Sequence, residues 1–175
     1  IKRKIKSEDI KKISMTGNNW GLCCNYIHYI DLFLFILGKK KFDAFSSKLS
    51  NQILESRRKN FFELYGELKF KVGDKIISIK CNKSKSKSIS YKLNIDLNKN
   101  KKIIIDEIKN KLIFKNKNIS KKIKLKIPYT SDVILKFYNS ISKKNKIKKN
   151  KKLVSFEDSI HLHVPVLKSF NQKFK

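Results

Sequence analysis

Two hydrophobic periods divide this chain. Between Leu22 and Leu37, the residues Leu22, Tyr26, Tyr29, Ile30, Phe33 and Leu37 recur at three- and four-residue spacing. That stripe predicts a helix with a wide buried face. Gly17-Asn18-Asn19 ahead of it predicts a turn and an N-cap, and Gly38 behind it a C-terminal stop. Ile13–Thr16 alternates apolar and polar residues, a short strand feeding that turn. From Ser56 onward the period shortens towards two. Phe62–Val72 alternates, Val72-Gly73-Asp74-Lys75 makes a tight reversal, and Lys75–Cys81 returns as the second arm of a hairpin. Ile89–Leu97, Ile103–Ile108 paired with Lys111–Phe114 around Lys109-Asn110, and Ile123–Ile127 continue the alternation. Phe42–Leu54 fits either period, and its second half reads as a strand.

Pro128 ends the strands. A helix is expected from Thr130 or Ser131 to Ile141, with Val133, Ile134, Phe137 and Ile141 as its stripe. Ser155-Phe156-Glu157-Asp158 is a capping box with Asp in place of Glu, opening a last helix with face Ile160, His163, Leu167 and Phe170, bent at Pro165. Residues 1–12 and Lys143–Lys152 are charged lead-in and loop. This order describes an α+β fold: a mainly antiparallel open sheet of about six strands, helices on one face, the other face available for oligomerisation. Residues 1–175 form a single domain on this reading, long enough for a real core.

The formal charge of +29 suggests a polyanion partner, but its make-up argues otherwise. Arg, the better fork for phosphates and base edges, occurs only at positions 3, 57 and 58. The remaining cations are Lys spread among Ile, Asn and Phe, residues that share A/T-rich codons, so they read as solvated surface and not as a nucleic-acid site. No apolar run reaches the roughly 18–20 residues a membrane span needs, and Ile1-Lys2-Arg3-Lys4 does not begin a secretory signal. Three cysteines, two of them adjacent, make no disulfide framework, and a reduced cytoplasmic setting is expected.

Candidate chemistry gathers on the central helix. Cys24, His28 and Asp31 project to one side, with Asn25 beside them, and a polar cluster on an apolar helix needs partners or a cavity. An imidazole steered by a carboxylate can move a proton near neutral pH; the structural alternative is a buried His satisfied by Asp31. Adjacent Cys23 and Cys24 lack the gap of a zinc ligand pair, so no metal is assigned. His161 and His163, two apart on a helix, point in different directions. Arg57-Arg58, with Glu63, could hold an anionic group or form a strand salt bridge. No Gly-rich phosphate loop occurs among the five glycines.

Trp20-Gly21-Leu22-Cys23-Cys24-Asn25-Tyr26-Ile27-His28-Tyr29-Ile30-Asp31-Leu32 resembles the start of the C-terminal domain in the glucose–fructose oxidoreductase/inositol dehydrogenase (Gfo/Idh/MocA) family. Ser56-Arg57-Arg58, Phe62-Glu63 and Gly66-Glu67-Leu68 look like its following strand, and Ser155–His163, running to Phe170, like its closing helix. The resemblance implies part of an NAD(P)-dependent oxidoreductase acting on a sugar, sugar nucleotide or polyol. His28 would be the catalytic acid–base. Asn18, Trp20, Cys24, Asn25, Asp31, Arg57 and Arg58 would contact substrate. Many members carry Asp where this chain has Cys24; Trp-Gly-Leu with Cys-Asn is similar to a branch associated with surface-polysaccharide biosynthesis. The family's Rossmann domain, with its Gly-rich loop, is missing, so NAD or NADP would be bound mainly by a domain not present in this chain. Expected partners are that domain or a separate N-terminal half, the sugar substrate, and a second copy through the sheet. The alternatives are a cationic module for nucleic acid or acidic polysaccharide, or a degenerate member kept for assembly.

Overall fold

The computed structural model describes residues 5–56, 59–86, 88–117, 119–126, 128, 132, 134–135, 139 and 156–174. After a short 3-10 turn at Ser7–Asp9 come β1 (Ile10–Asn18), α1 (Leu22–Leu37), β2 (Ala44–Leu49), β3 (Leu54–Glu55) and β4 (Phe62–Glu63). Then follow β5 (Gly66–Val72), β6 (Lys75–Asn82), β7 (Ser90–Leu97), β8 (Lys102–Asp106), β9 (Lys111–Asn116), β10 (Ile119–Lys124) and α2 (Phe156–Asn171). The helix expected over 130–141 falls mostly outside the described residues, as do the 143–152 loop and the Ser155 cap.

Eight strands form one open sheet in the order β10-β9-β8-β7-β1-β6-β5-β2, two more than expected, and β3 pairs with β4 in a separate ribbon. The sheet is antiparallel except at one place. β1 runs parallel to β6 and antiparallel to β7, because α1 carries the chain off the sheet before the β5–β6 hairpin returns beside it. Alternation decides the faces. Ile13 and Met15 of β1, Ile77, Ile79 and Cys81 of β6, Leu68, Phe70 and Val72 of β5, and Leu93, Ile95 and Leu97 of β7 are buried. They join Leu22, Tyr26, Ile30, Phe33, Leu34 and Leu37 of α1, and Leu162, Val166 and Phe170 of α2, in one core cluster. The opposite face presents Lys12, Thr16, Lys69, Lys71, Lys80 and Lys92 to solvent.

Four local expectations change. Phe62–Val72 is not one strand: Gly66 adopts φ 139, a backbone region open to glycine, and the chain breaks so that Phe62–Glu63 leaves the sheet for the ribbon. The strand in the ambiguous stretch lies in its first half, Ala44–Leu49, where Phe45 pairs with Phe70 across the ladder. The cap of α1 is Gly21, in the left-handed region, and not the Asn pair. Gly38 does stop the helix, in the left-handed region, with the Lys39 amide donating to Leu34 O at 2.9 Å. In α2 the inward face is Leu162, His163, Val166 and Phe170; Ile160 and Leu167 point outward. The Lys40–Asp158 pair at 3.0 Å then ties the end of α1 to the start of α2.

Candidate active site

The turn from β1 into α1 builds one wall of a cavity of about 690 Å³. Asn19 takes φ 53, which an Asn tolerates better than most residues, and its amide acts as a clamp. Its Nδ2 donates to Ser86 O at 2.6 Å, while its Oδ1 accepts from the Tyr65 hydroxyl at 3.0 Å and the Ser84 amide at 3.1 Å. One residue therefore ties the 84–86 loop and the start of β5 to the head of α1. Trp20 is buried, its indole N–H donating to Lys80 O at 3.1 Å, and its ring packs edge-on to Tyr29. With its one polar side-chain group satisfied and its ring packed, Trp20 is a rigid wall.

Gly21 offers α1 no side-chain cap, so the first amides need another acceptor. Glu63, delivered by the β3–β4 ribbon, supplies it: Oε2 accepts from the Cys23 amide at 2.8 Å. A carboxylate there also complements the helix dipole. Asn25 turns back and donates to Trp20 O at 2.8 Å and Gly21 O at 2.9 Å. One turn apart on the open side of α1, Cys24 and His28 are exposed and line the cavity. Opposite them are Leu54, Glu55 and Ser56 of the ribbon, with Tyr65, Ser84 and Ser86 along the rim. Among the described lining residues there are two carboxylates and one imidazole, and no Lys or Arg.

The expected site residues therefore separate. Trp20, Cys24, Asn25 and His28 come together at the cavity. Asn18 does not: it follows Gly17 on the strand, so it points to the other side of the sheet, where its Oδ1 accepts from Asn82 Nδ2 at 3.4 Å. Asp31 does not either; it sits a turn deeper and meets α2, its Oδ1 3.4 Å from His163 Nε2. Arg57 and Arg58 lie outside the described residues. Sequence reasoning missed Asn19, Glu55, Tyr65, Ser84 and Ser86 as lining residues, and it set Glu63 beside Arg57-Arg58 for an anionic group, where the structure has it line the cavity and accept from the Cys23 amide. Only Asn19 carried a local signal, as an Asn at a turn.

Electrostatics separate the thiols. Burial first, and Glu63 second, push Cys23 up to about 12, so it stays a thiol at neutral pH. Burial likewise raises Cys81. Burial raises the phenols of Tyr26 and Tyr29, keeping both neutral. Among the described residues no three His, Cys, Asp or Glu cluster as a metal site would require.

No family profile and no curated protein matches the sequence. The structure does find counterparts. A dehydrogenase (MviM) from Clostridium difficile superposes with a TM-score of 0.63 at 17% identity, over 98% of this chain and 57% of that one. A Gfo/Idh/MocA family oxidoreductase from Vibrio cholerae gives 0.64 at 10% identity, over 97% of this chain and 55% of that one. The fold is that of the C-terminal domain of Gfo/Idh/MocA oxidoreductases. A super-repressor mutant of Gal80p from Saccharomyces cerevisiae also superposes on it, with a TM-score of 0.60 at 16% identity, over 95% of this chain and 56% of Gal80p. The chain thus spans a little over half the length of these structures, and the Gfo/Idh/MocA fold houses both oxidoreductases and a protein named as a repressor.

Proposed function

We propose that this chain is the substrate-binding and proton-transferring part of an NAD(P)-dependent oxidoreductase acting on a sugar, sugar nucleotide or related polyol, in surface-polysaccharide biosynthesis. The observation that carries the reading is the position of His28, exposed on an otherwise apolar helix and opening into the cavity beside Trp20, Cys24 and Glu63. An alcohol carbon that gives up hydride must also shed its hydroxyl proton. His28 is the group this chain offers to take that proton, or to return it in the reverse direction. The carboxylates of Glu55 and Glu63, with the hydroxyls of Ser84 and Ser86, suit a polyhydroxylated ligand, and Trp20 gives it a flat apolar wall.

The dinucleotide itself does not fit the residues present. A pyrophosphate sits best on open amides at a helix N-terminus, and at α1 the Glu63 carboxylate already holds that place. NAD or NADP therefore belongs to a Rossmann domain outside this chain, and the hydride chemistry with it. Two partners complete the proposal: that domain, or a separate N-terminal half, and a second copy of the chain across the outer sheet face. A cytoplasmic setting is part of the same reading. Among the described residues no helix is long and apolar enough to cross a membrane.

In the complete enzyme, His28→Ala lowers kcat by about 10²-fold or more, the loss expected of a general acid–base. A rate near wild type would remove His28 from the mechanism. Calorimetry on this chain alone shows no NAD(P) binding; millimolar or tighter affinity would contradict the division of labour. The exposed Lys row of the outer sheet favours a second reading, a non-catalytic module for nucleic acid or acidic polysaccharide. Tight binding to random-sequence duplex at moderate salt, with a steep salt slope, would select it.

A further inference from the structure

Asn19 stands where β1 stops, and its side chain does what the backbone there no longer can. β1 and β6 pair in parallel as far as Asn18 and Asn82, and the Asn19 backbone amide adds one more bond, to Asn82 O at 3.1 Å. The chain then swings away into α1 through the left-handed φ of 53 at Asn19, a conformation that suits Asn better than a bulkier residue. A carboxamide carries the same groups as a peptide unit, so it can extend a ladder past the end of a strand. Here Asn19 Nδ2 donates to Ser84 O at 3.3 Å and Ser86 O at 2.6 Å, and Oδ1 accepts from the Ser84 amide at 3.1 Å. The fourth bond comes from the Tyr65 hydroxyl, 3.0 Å from Oδ1.

These bonds use the whole capacity of the amide, two donors and two lone pairs. They also fix which way it faces. Reversed, it would set its oxygen against two carbonyl oxygens and its NH2 against the Ser84 N–H, so the oxygen lies towards Tyr65. Tyr65 has one hydrogen to give. Burial raises its phenol, which stays protonated at neutral pH, and Asn19 takes that hydrogen. The Tyr65 oxygen is left with lone pairs. Tyr65, Ser84 and Ser86 all line the cavity into which His28 opens.

We infer that Asn19 is a positioning residue of this cavity: it holds the wall of Ser84 and Ser86 in place and takes the Tyr65 hydrogen, so that Tyr65 meets a ligand as a hydrogen-bond acceptor, for a hydroxyl or an amine and not for a carbonyl. Tyr65 is then a binding residue and no second acid–base beside His28. The role towards a polyol rests on the oxidoreductase reading; the network around Asn19 does not.

NMR on the 175-residue chain tests it, with two variants that divide the amide. Asn19→Asp keeps an acceptor and tolerates the left-handed turn, whereas Asn19→Ala removes donor and acceptor together. In Asn19→Ala the Ser84 amide and the Tyr65 hydroxyl each exchange with solvent about tenfold faster, as the loss of a hydrogen bond implies. In Asn19→Asp at pH 7 both stay within about twofold of the wild type, because their acceptor remains. The Ser86 carbonyl shift moves in that variant, and moves back once the new carboxyl is protonated and can donate again. A residue needed only for folding would move all three signals together. That joint movement in both variants overturns the inference, as does fast exchange of the Tyr65 hydroxyl in the wild type. Should a variant not fold, the wild type decides: a scalar coupling across the bond from Asn19 Nδ2 to the Ser86 carbonyl carbon is present, or the inference fails. For the ligand contact the probe is myo-inositol, which carries hydroxyls alone. Its affinity falls about tenfold in Tyr65→Phe and in Asn19→Ala. An affinity unchanged by Tyr65→Phe, or no binding to the wild type, overturns the acceptor role. An unchanged kcat in His28→Ala would remove the oxidoreductase reading and leave the network around Asn19 standing.

Discussion

Gly17 is the point where the central strand, the cavity and the helix constrain one another, and Gly17→Ala measures that constraint. Gly17 pairs with Tyr91 of β7 and Cys81 of β6 in the middle of the sheet. A Cβ built there would lie 2.0 Å from Ser90 O and 2.5 Å from Tyr91 Cα, where contacts below 3.0 Å do not occur. Both obstacles are backbone of β7 within its ladder to β1, so neither can rotate away as a side chain would. The strands must part by at least about 1 Å, in an interior packed as densely as an organic crystal. Overpacking costs about 1–3 kcal/mol where side chains can yield, and with backbone on both sides the cost falls at about 3 kcal/mol or above. Gly38→Ala is the control: its φ of 69 disfavours a side chain, but nothing lies within 4 Å. Left-handed strain alone costs about 1–2 kcal/mol. Urea unfolding followed by fluorescence of the single, buried Trp20 separates the two. With a slope of about 2 kcal/mol per molar, Gly17→Ala moves the midpoint down by about 1.5 M and Gly38→Ala by less than about 1 M. A Gly17→Ala midpoint at or above that of Gly38→Ala would refute the claim that β1 and β7 cannot separate.

Three further outcomes follow from the site. Glu63→Ala removes the cap of α1 and lowers stability by about 1–2 kcal/mol in chemical denaturation, whereas Glu63→Gln, which keeps an acceptor for the Cys23 amide, loses about half of that; equal losses would show that charge alone matters. At pH 8 iodoacetamide followed by mass spectrometry modifies exposed Cys24 first, because burial and Glu63 hold Cys23 at about 12 and burial also raises Cys81; early alkylation of Cys23 would contradict this. His163 is lowered in the folded chain, so as pH falls below roughly 6.5 the unfolded chain takes up that proton first and stability drops. Unfolding midpoints between pH 7.5 and 6 therefore fall more steeply in the wild type than in His163→Gln, and parallel curves would refute it.

The sequence by itself determined the elements whose evidence is local. Residue-by-residue alternation gave the strands from Gly66 to Leu97 and the Gly73 reversal, and the three-and-four spacing gave α1 and its stop at Gly38. It also placed Cys24 and His28 on one side of that helix, because a helix fixes which side chains are neighbours. Tertiary structure decided everything that depends on which segments meet. That β1 lies between β6 and β7 with one parallel pairing is a matter of long-range register, which no local period encodes. Asp31 looked like a companion of His28 on the helix surface, yet α2, more than a hundred residues away, turned it into a partner for buried His163. Glu63 read as a strand residue beside Arg57-Arg58 until the break at Gly66 swung it onto the head of α1. Spacing along the chain sets a side chain's direction; only packing sets what it faces.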